Sequence, residues 1–126
     1  MMRIAIIGAG LSGLTAANTL KNHAEITIFE KARDVGGRMS NRCAKPYFFD
    51  HGAQFFSAQT NEFKAFIAPM ITDGIMNSWN ARFAEIEGRA IIRERRWNDD
   101  YPHYVGVPGM SSIAKHLSNG MNLKLG

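Results

Sequence analysis

Gly8, Gly10, Gly13 and Glu30 are the residues whose types and spacing point to chemistry. The stretch Arg3 to Gly13, RIAIIGAGLSG, sets a GxGxxG pattern directly behind a short apolar run, and an acid follows about twenty residues later. In such a unit Gly8 allows a sharp turn, Gly10 leaves no Cβ to hold a pyrophosphate off the backbone, and Gly13 lets the next helix pack close to the strand. A helix starting near Leu11 aims its unpaired N–H groups and the positive end of its dipole at the phosphates. Ser12, in its first turn, adds a hydroxyl donor. The Glu30 carboxylate suits the two hydroxyls of an adenosine ribose and repels a phosphate there, which favours an unphosphorylated adenosine. The plainer alternative is a glycine-rich turn with no ligand. The context favours a dinucleotide: a strand before the glycines, Ala16, Ala17 and Leu20 on a helix after them, then a second strand ending at the acid.

These groups need a scaffold. Ile4 to Ile7 run without polar alternation and predict a strand buried on both faces of a parallel sheet. Glu25 to Phe29 predict the second strand. A doubly wound nicotinamide domain would continue into another amphipathic helix and a third parallel strand. Residues 31 to 46, KARDVGGRMSNRCAKP, have sparse apolar positions, adjacent Gly36 and Gly37 and a closing Pro46, so a loop is predicted instead.

Further along, Phe63, Phe66, Ile67, Met70 and Ile71 recur at helical spacing, with Thr60 or Asn61 as N-cap and Pro69 expected to kink or end the helix. Ser78 to Ile86 and Arg89 to Trp97 predict a hairpin turning at Glu87 and Gly88. Pro108 and Gly109 precede a second helix with Met110, Ile113, Ala114 and Leu117 on one face and Gly120 as its stop. Asn122 to Leu125 begin another strand. The change from strand–helix alternation to hairpin near Phe56 is the one predicted boundary, separating residues 1–56 from 57–126.

A family resemblance adds to this reading. Glu30, Lys31, Arg33, Gly36, Gly37 and Arg38 resemble the second signature of the FAD-binding amine oxidoreductases, the group that includes monoamine oxidases, protoporphyrinogen oxidases, phytoene desaturases and renalase. Asp50, Gly52, Ala53, Gln54 and Phe55 resemble that group's next signature, in the form typical of renalase and its bacterial relatives. Tyr104 to Met110, YVGVPGM, is similar to renalase-like proteins, so the matches span the chain.

The resemblance implies an α/β fold: a Rossmann-like FAD-binding βαβ unit of the glutathione-reductase-like flavin type, with its flavin-contact segment, over 1–56, and the start of an α+β substrate domain over 57–126. It implies FAD as cofactor, bound by Gly8, Gly10, Leu11, Ser12, Gly13, Glu30, Lys31, Arg33, Gly37, Arg38, Gly52, Ala53, Gln54 and Phe55. Within this set Ser12 and Arg38 would meet the phosphates, Arg38 through a planar fork of donors. Gly52 to Phe55 would lie beside the flavin ring, and Asp50 would anchor the local backbone. Arg33 reads equally as a solvated charge; a plain turn is the alternative for Gly36 and Gly37, and the following arginine and the preceding dinucleotide unit count against it.

The implied reaction is hydride transfer from a carbon next to nitrogen to flavin N5, followed by reoxidation, often by oxygen. The cofactor carries that chemistry, and no catalytic acid or base is assigned. The implied substrate is a small molecule, an amine or a dihydronicotinamide-like compound. A nicotinamide-dependent dehydrogenase and a noncatalytic nucleotide-binding remnant are the alternatives. Members of the family are longer and close over the flavin with a further C-terminal segment. The expectation is therefore an N-terminal fragment with the adenosine and pyrophosphate end specified and the isoalloxazine end incomplete.

Composition bounds the rest. A chain of 126 residues, 45% hydrophobic, buries one modest core: one domain and part of another. No apolar run approaches the roughly twenty residues that span a bilayer, and Ile4 to Ile7 are too short for a signal-peptide core, so a cytoplasmic protein with no membrane partner is expected. The single cysteine, Cys43, excludes an internal disulfide and a cysteine metal cluster, and is expected to be inert and half-buried. His23, His51, His103 and His116 lack metal-ligand spacing; His51 is a filler or a neighbour of the flavin. The net charge of +4 comes from scattered residues apart from Arg93, Arg95 and Arg96, with no nucleic-acid motif, so no nucleic-acid partner is expected. Trp79 and Trp97 read as packing residues, or as walls of a substrate cavity.

Overall fold

The computed structural model describes residues 1–126. Strand β1 (Met2–Ile7), helix α1 (Leu11–Leu20) and strand β2 (Ala24–Glu30) form the expected βαβ unit. The strands run parallel, with Met2 opposite Ala24 and Ile7 opposite Phe29. Leu14 and Ala17 of α1 are fully buried, as is Ile28 of β2, so the helix seals one face of the sheet.

β1 is not buried on both faces, contrary to the apolar run. Ile4 and Ile6 are half-buried on the helix-covered side, while Ala5 and Ile7 point the other way, and Ile7 is 83% exposed. The reason is topological: β1 is an edge strand, and no helix covers its outer face. That face carries an Arg3–Glu25 ion pair at 3.7 Å and a hydrogen bond from the Asn122 amide to the Thr27 hydroxyl at 3.0 Å, as on a solvated sheet face.

The segment after β2 contains more structure than a loop. A 3-10 turn spans Gly37–Met39, and β3 (Arg42–Ala44) pairs antiparallel with β4 (Tyr47–Phe49). Every residue of that hairpin is exposed, so burial left no periodic signal in its sequence. Cys43 lies on β3 and is exposed rather than half-buried. β5 (Phe56–Ser57) follows, then α2 (Asn61–Thr72), whose N-cap Thr60 accepts a hydrogen bond from the Phe63 N–H at 3.2 Å. Pro69 sits in its last turn, and the helix runs on to Thr72.

β6 (Met76–Ser78), β7 (Arg82–Glu87), β8 (Ala90–Arg96) and β9 (His103–Gly106) come next. β7 and β8 form the predicted hairpin, with an irregularity between Glu85 and Ile86. Ser78, expected to start that hairpin, instead pairs with Tyr104, because β9 gives β6 a partner far along the chain. The resulting antiparallel sheet has the order β5-β9-β6.

Helix α3 (Ser111–Ser118) buries Ile113, Ala114 and Leu117 as their spacing predicts. The last strand, β10 (Asn122–Leu125), pairs parallel with β2, so the first sheet has the order β1-β2-β10. One apolar cluster joins Leu14, Ala17 and Ile28 to Met39, Ile67, Met70, Met76, Ile113 and Leu117, and so runs across the predicted boundary at Phe56. Asn18 reinforces the junction: its amide donates to the carbonyls of Leu14 at 3.0 Å and Leu117 at 2.7 Å. No helix is long and apolar enough to cross a membrane.

Candidate functional site

A cleft of about 880 Å3 opens at the carboxyl end of β1, where open α/β sheets place ligands. Its walls are the end of β1, the first turn of α1, the bend from Gly36 to Met39, and Gly52 with Ala53. Gly10 caps α1 without any side-chain hydrogen bond, so the first N–H groups of the helix, at Leu11, Ser12 and Gly13, have no intrahelical acceptor. Those donors and the helix dipole make this wall attractive to an anion.

Two glycines are required by close approach. A Cβ on Gly13 would collide with the carbonyl oxygen of Gly8, which ties the helix to the loop as the sequence pattern requires. A Cβ on Gly52 would collide with the carbonyl oxygen of Arg38. The small residue at 52 therefore serves the protein's own backbone: the adjacent Ala53 N–H donates to that same Arg38 carbonyl at 2.8 Å. On the other side the Gly36 N–H donates to the Ala9 carbonyl at 2.9 Å, and Gly10 and Gly36 form a parallel bridge. The diglycine bend is thus held between the glycine-rich loop and the Gly52 segment, with Arg38 on the cleft wall.

The electrostatics favour an anion. Arg38 is exposed at the cleft and takes no part in any of the four ion pairs, which are Arg3–Glu25, Arg82–Glu94, Arg95–Glu85 and Lys115–Asp34. Glu30 stands beside the glycine loop: one carboxylate oxygen accepts the Ala9 N–H at 2.7 Å and the other the Ala32 N–H at 2.8 Å. The hydrogen bond from Ala9, then that from Ala32, holds its carboxyl below the usual range; Lys31 adds to this and partial burial opposes it. Each oxygen keeps further acceptor capacity. The acid is therefore a clamp on the loop as well as a free acceptor, a role its spacing alone did not reveal.

The structure brings Gly8, Gly10, Leu11, Ser12, Gly13, Gly37, Arg38, Gly52 and Ala53 onto one cleft. Glu30, which is half-buried, and the exposed Lys31 and Arg33 lie outside its lining. Gln54 faces a separate recess of about 450 Å3 with Asp50 and Trp79. Phe55 joins an aromatic group, 4.7 Å from Trp97 and 6.4 Å from Trp79, in which Trp97 stacks on His103 at 3.8 Å. Ile7, Gly36 and Met39 line the cleft without having been singled out as ligand contacts; Gly36 belongs to the diglycine signal, whereas Ile7 and Met39 carry no polar cue. Asp50 accepts the Met110 N–H at 2.9 Å, so it anchors backbone at the start of α3, sixty residues along the chain, rather than the local backbone expected of it.

A parallel βαβ unit with an anion-attracting cleft at its first crossover defines a Rossmann-type dinucleotide-binding protein. Residues 6–69 match the NAD(P)-binding Rossmann-like domain family, and the chain belongs to it. Among curated proteins it is similar to the 4,4'-diapophytoene desaturase (4,4'-diaponeurosporene-forming) of Staphylococcus aureus, 48% identical over 52 residues, which are 40% of this chain and 10% of the desaturase. The chain spans about a tenth of the length of the curated relatives it matches. Among solved structures, an oxidoreductase from Methanosarcina mazei is 23% identical with a TM-score of 0.49, covering 79% of this chain and 25% of that one. Putrescine oxidase with bound putrescine is 24% identical at the same TM-score of 0.49, covering 79% of this chain and 22% of the oxidase.

Proposed function

We propose that the chain holds FAD in an oxidoreductase of the renalase-like amine oxidase group, acting on a small amine or dihydronicotinamide-like substrate. The observation that carries this reading is the docking of the diglycine bend against the glycine loop, through the Gly36 to Ala9 hydrogen bond, with Arg38 on the cleft wall. The first turn of α1 and the Arg38 guanidinium would hold the diphosphate from two sides. Glu30 would accept the ribose hydroxyls through the lone pairs its backbone clamp leaves free. Gly52 and Ala53, which belong to the cleft wall, would lie beside the flavin ring. Bound FAD would supply a ring that accepts hydride from a carbon next to nitrogen. The protein's own part is to position the cofactor and to neutralise its phosphates.

One observation favours a second reading. β10 supplies the third parallel strand that residues 31 to 46 lack, beside β2 as in a nicotinamide domain. Calorimetric titration of the purified chain with FAD, NAD and ADP separates the two. The flavin reading expects FAD to bind at least about tenfold more tightly than NAD or ADP, a difference of about 1.4 kcal/mol. Equal affinities would reduce the site to an adenosine diphosphate module, and tighter NAD would establish the nicotinamide alternative.

A further inference from the structure

Asp50 and Gln54 flank Gly52 and Ala53 in the chain, yet they line the separate recess of about 450 Å3 and not the dinucleotide cleft. Trp79, just past β6, completes its wall with Val105, Gly106 and Pro108. No cationic side chain is among these residues. The Asp50 carboxylate commits Oδ1 to the Met110 N–H at 2.9 Å and joins none of the four ion pairs, so Oδ2 is left to accept from a ligand. Trp79 is 45% exposed but fixed in place. The Trp97 ring meets it edge to face at 5.5 Å, the Phe55 ring lies 6.4 Å away, and its backbone N–H donates to the His103 carbonyl at 2.7 Å. An indole held in this way loses little freedom when a ligand settles on it.

We infer that this recess binds the ammonium group of a small alkylamine. The free Asp50 oxygen and the Gln54 amide oxygen accept its N–H groups, the indole attracts its positive charge, and Val105 and Pro108 offer apolar surface to the alkyl part. Other ligand classes fit less well. An anion meets the Asp50 carboxylate with no cation to offset it. A metal ion needs more oxygen ligands than one free carboxylate oxygen and one amide, and no three His, Cys, Asp or Glu side chains gather anywhere in the chain. A neutral alcohol gains neither the ion pair nor the attraction to the ring. Of the two substrate classes proposed above, this selects the amine. A substrate role for the bound amine rests on the flavin reading, whereas the binding itself does not.

The chain has two tryptophans, and only Trp79 lines the recess. The full chain, labelled with 15N and free of flavin, is titrated at fixed ionic strength with n-butylammonium and, as its neutral counterpart, with 1-butanol. A saturable shift of the Trp79 indole N–H and the Gln54 side-chain amide is expected, with 1-butanol at least about tenfold weaker. Asp50→Asn keeps an acceptor for the Met110 N–H and removes the charge, so it is expected to weaken n-butylammonium at least about fivefold. Trp79→Leu, followed through the Gln54 amide, is expected to weaken it about threefold. No saturable shift at Trp79, equal binding of 1-butanol to the wild-type chain, or undiminished binding by folded Asp50→Asn would overturn the assignment. With no flavin present, failure here leaves the flavin reading standing, and failure to bind FAD leaves this site standing.

Discussion

Arg38 and Glu30 carry opposite charges near the glycine loop and do different work. Arg38 has no acid of its own, so its guanidinium is free for phosphate oxygens. Arg38→Ala is expected to weaken FAD or ADP binding about tenfold or more, the worth of a charge-assisted hydrogen bond, and Arg38→Lys to restore only part because the planar fork is lost. Calorimetry measures both. Glu30 is already engaged by two backbone donors, and its folded carboxyl titrates below the ordinary glutamate value. A depressed carboxyl contributes stability that is fully present above the unfolded value of about 4.3 and lost as pH falls through the lower folded value. Glu30→Gln is therefore expected to lower stability near neutral pH by about 1 kcal/mol, given its partial exposure. The gap from wild type should narrow as pH falls below the unfolded value and close once it is below the folded one. Thermal melts of both proteins across a pH series check the sign.

Two joints tie segments distant in the chain to one another. The first is the approach of Gly52 to the Arg38 carbonyl, beside the hydrogen bond from Ala53. Gly52→Ala forces one backbone away from the other and is expected to cost about 1–3 kcal/mol. Diphosphate affinity should fall with it, because Arg38 is carried on the displaced segment. Denaturant unfolding and nucleotide titration of the same variant read the two effects. The second joint is the Asp50 carboxylate on the Met110 N–H at the entrance to α3. Asp50→Ala is expected to destabilise by about 1 kcal/mol, whereas Asp50→Asn keeps an acceptor oxygen there and loses little. A larger effect of Asn on ligand binding than on stability would show that the carboxylate does more than anchor backbone.

One apolar core is shared by residues on both sides of Phe56. α3 packs against α1, Asn18 bridges the two helices, and β10 joins the first sheet beside β2. A chain ending at residue 56 keeps every glycine of the dinucleotide pattern but leaves Leu14, Ala17 and Ile28 without their cover from α3. It is expected to be unfolded by far-UV circular dichroism and to bind no nucleotide. A folded, nucleotide-binding 1–56 piece would instead establish the division at Phe56 that the change of pattern suggests.

Local signals, where they were strong, read true. The glycine spacing demanded a tight strand–helix turn, Thr60 capped α2, and the periodic Ile113, Ala114 and Leu117 faced the core, because these depend on backbone sterics and near neighbours in the chain. Partners distant in the chain were settled only by the tertiary structure. Ser78 left its hairpin for β9, and β10 returned to β2 across some ninety residues of intervening chain. Ile7 turned outward because nothing covers that face, and Glu30 became a clamp on the loop it follows. Side-chain burial and hydrogen-bond partnership belong to what packs alongside, and a strand carries no mark in its own residues of which neighbour will arrive.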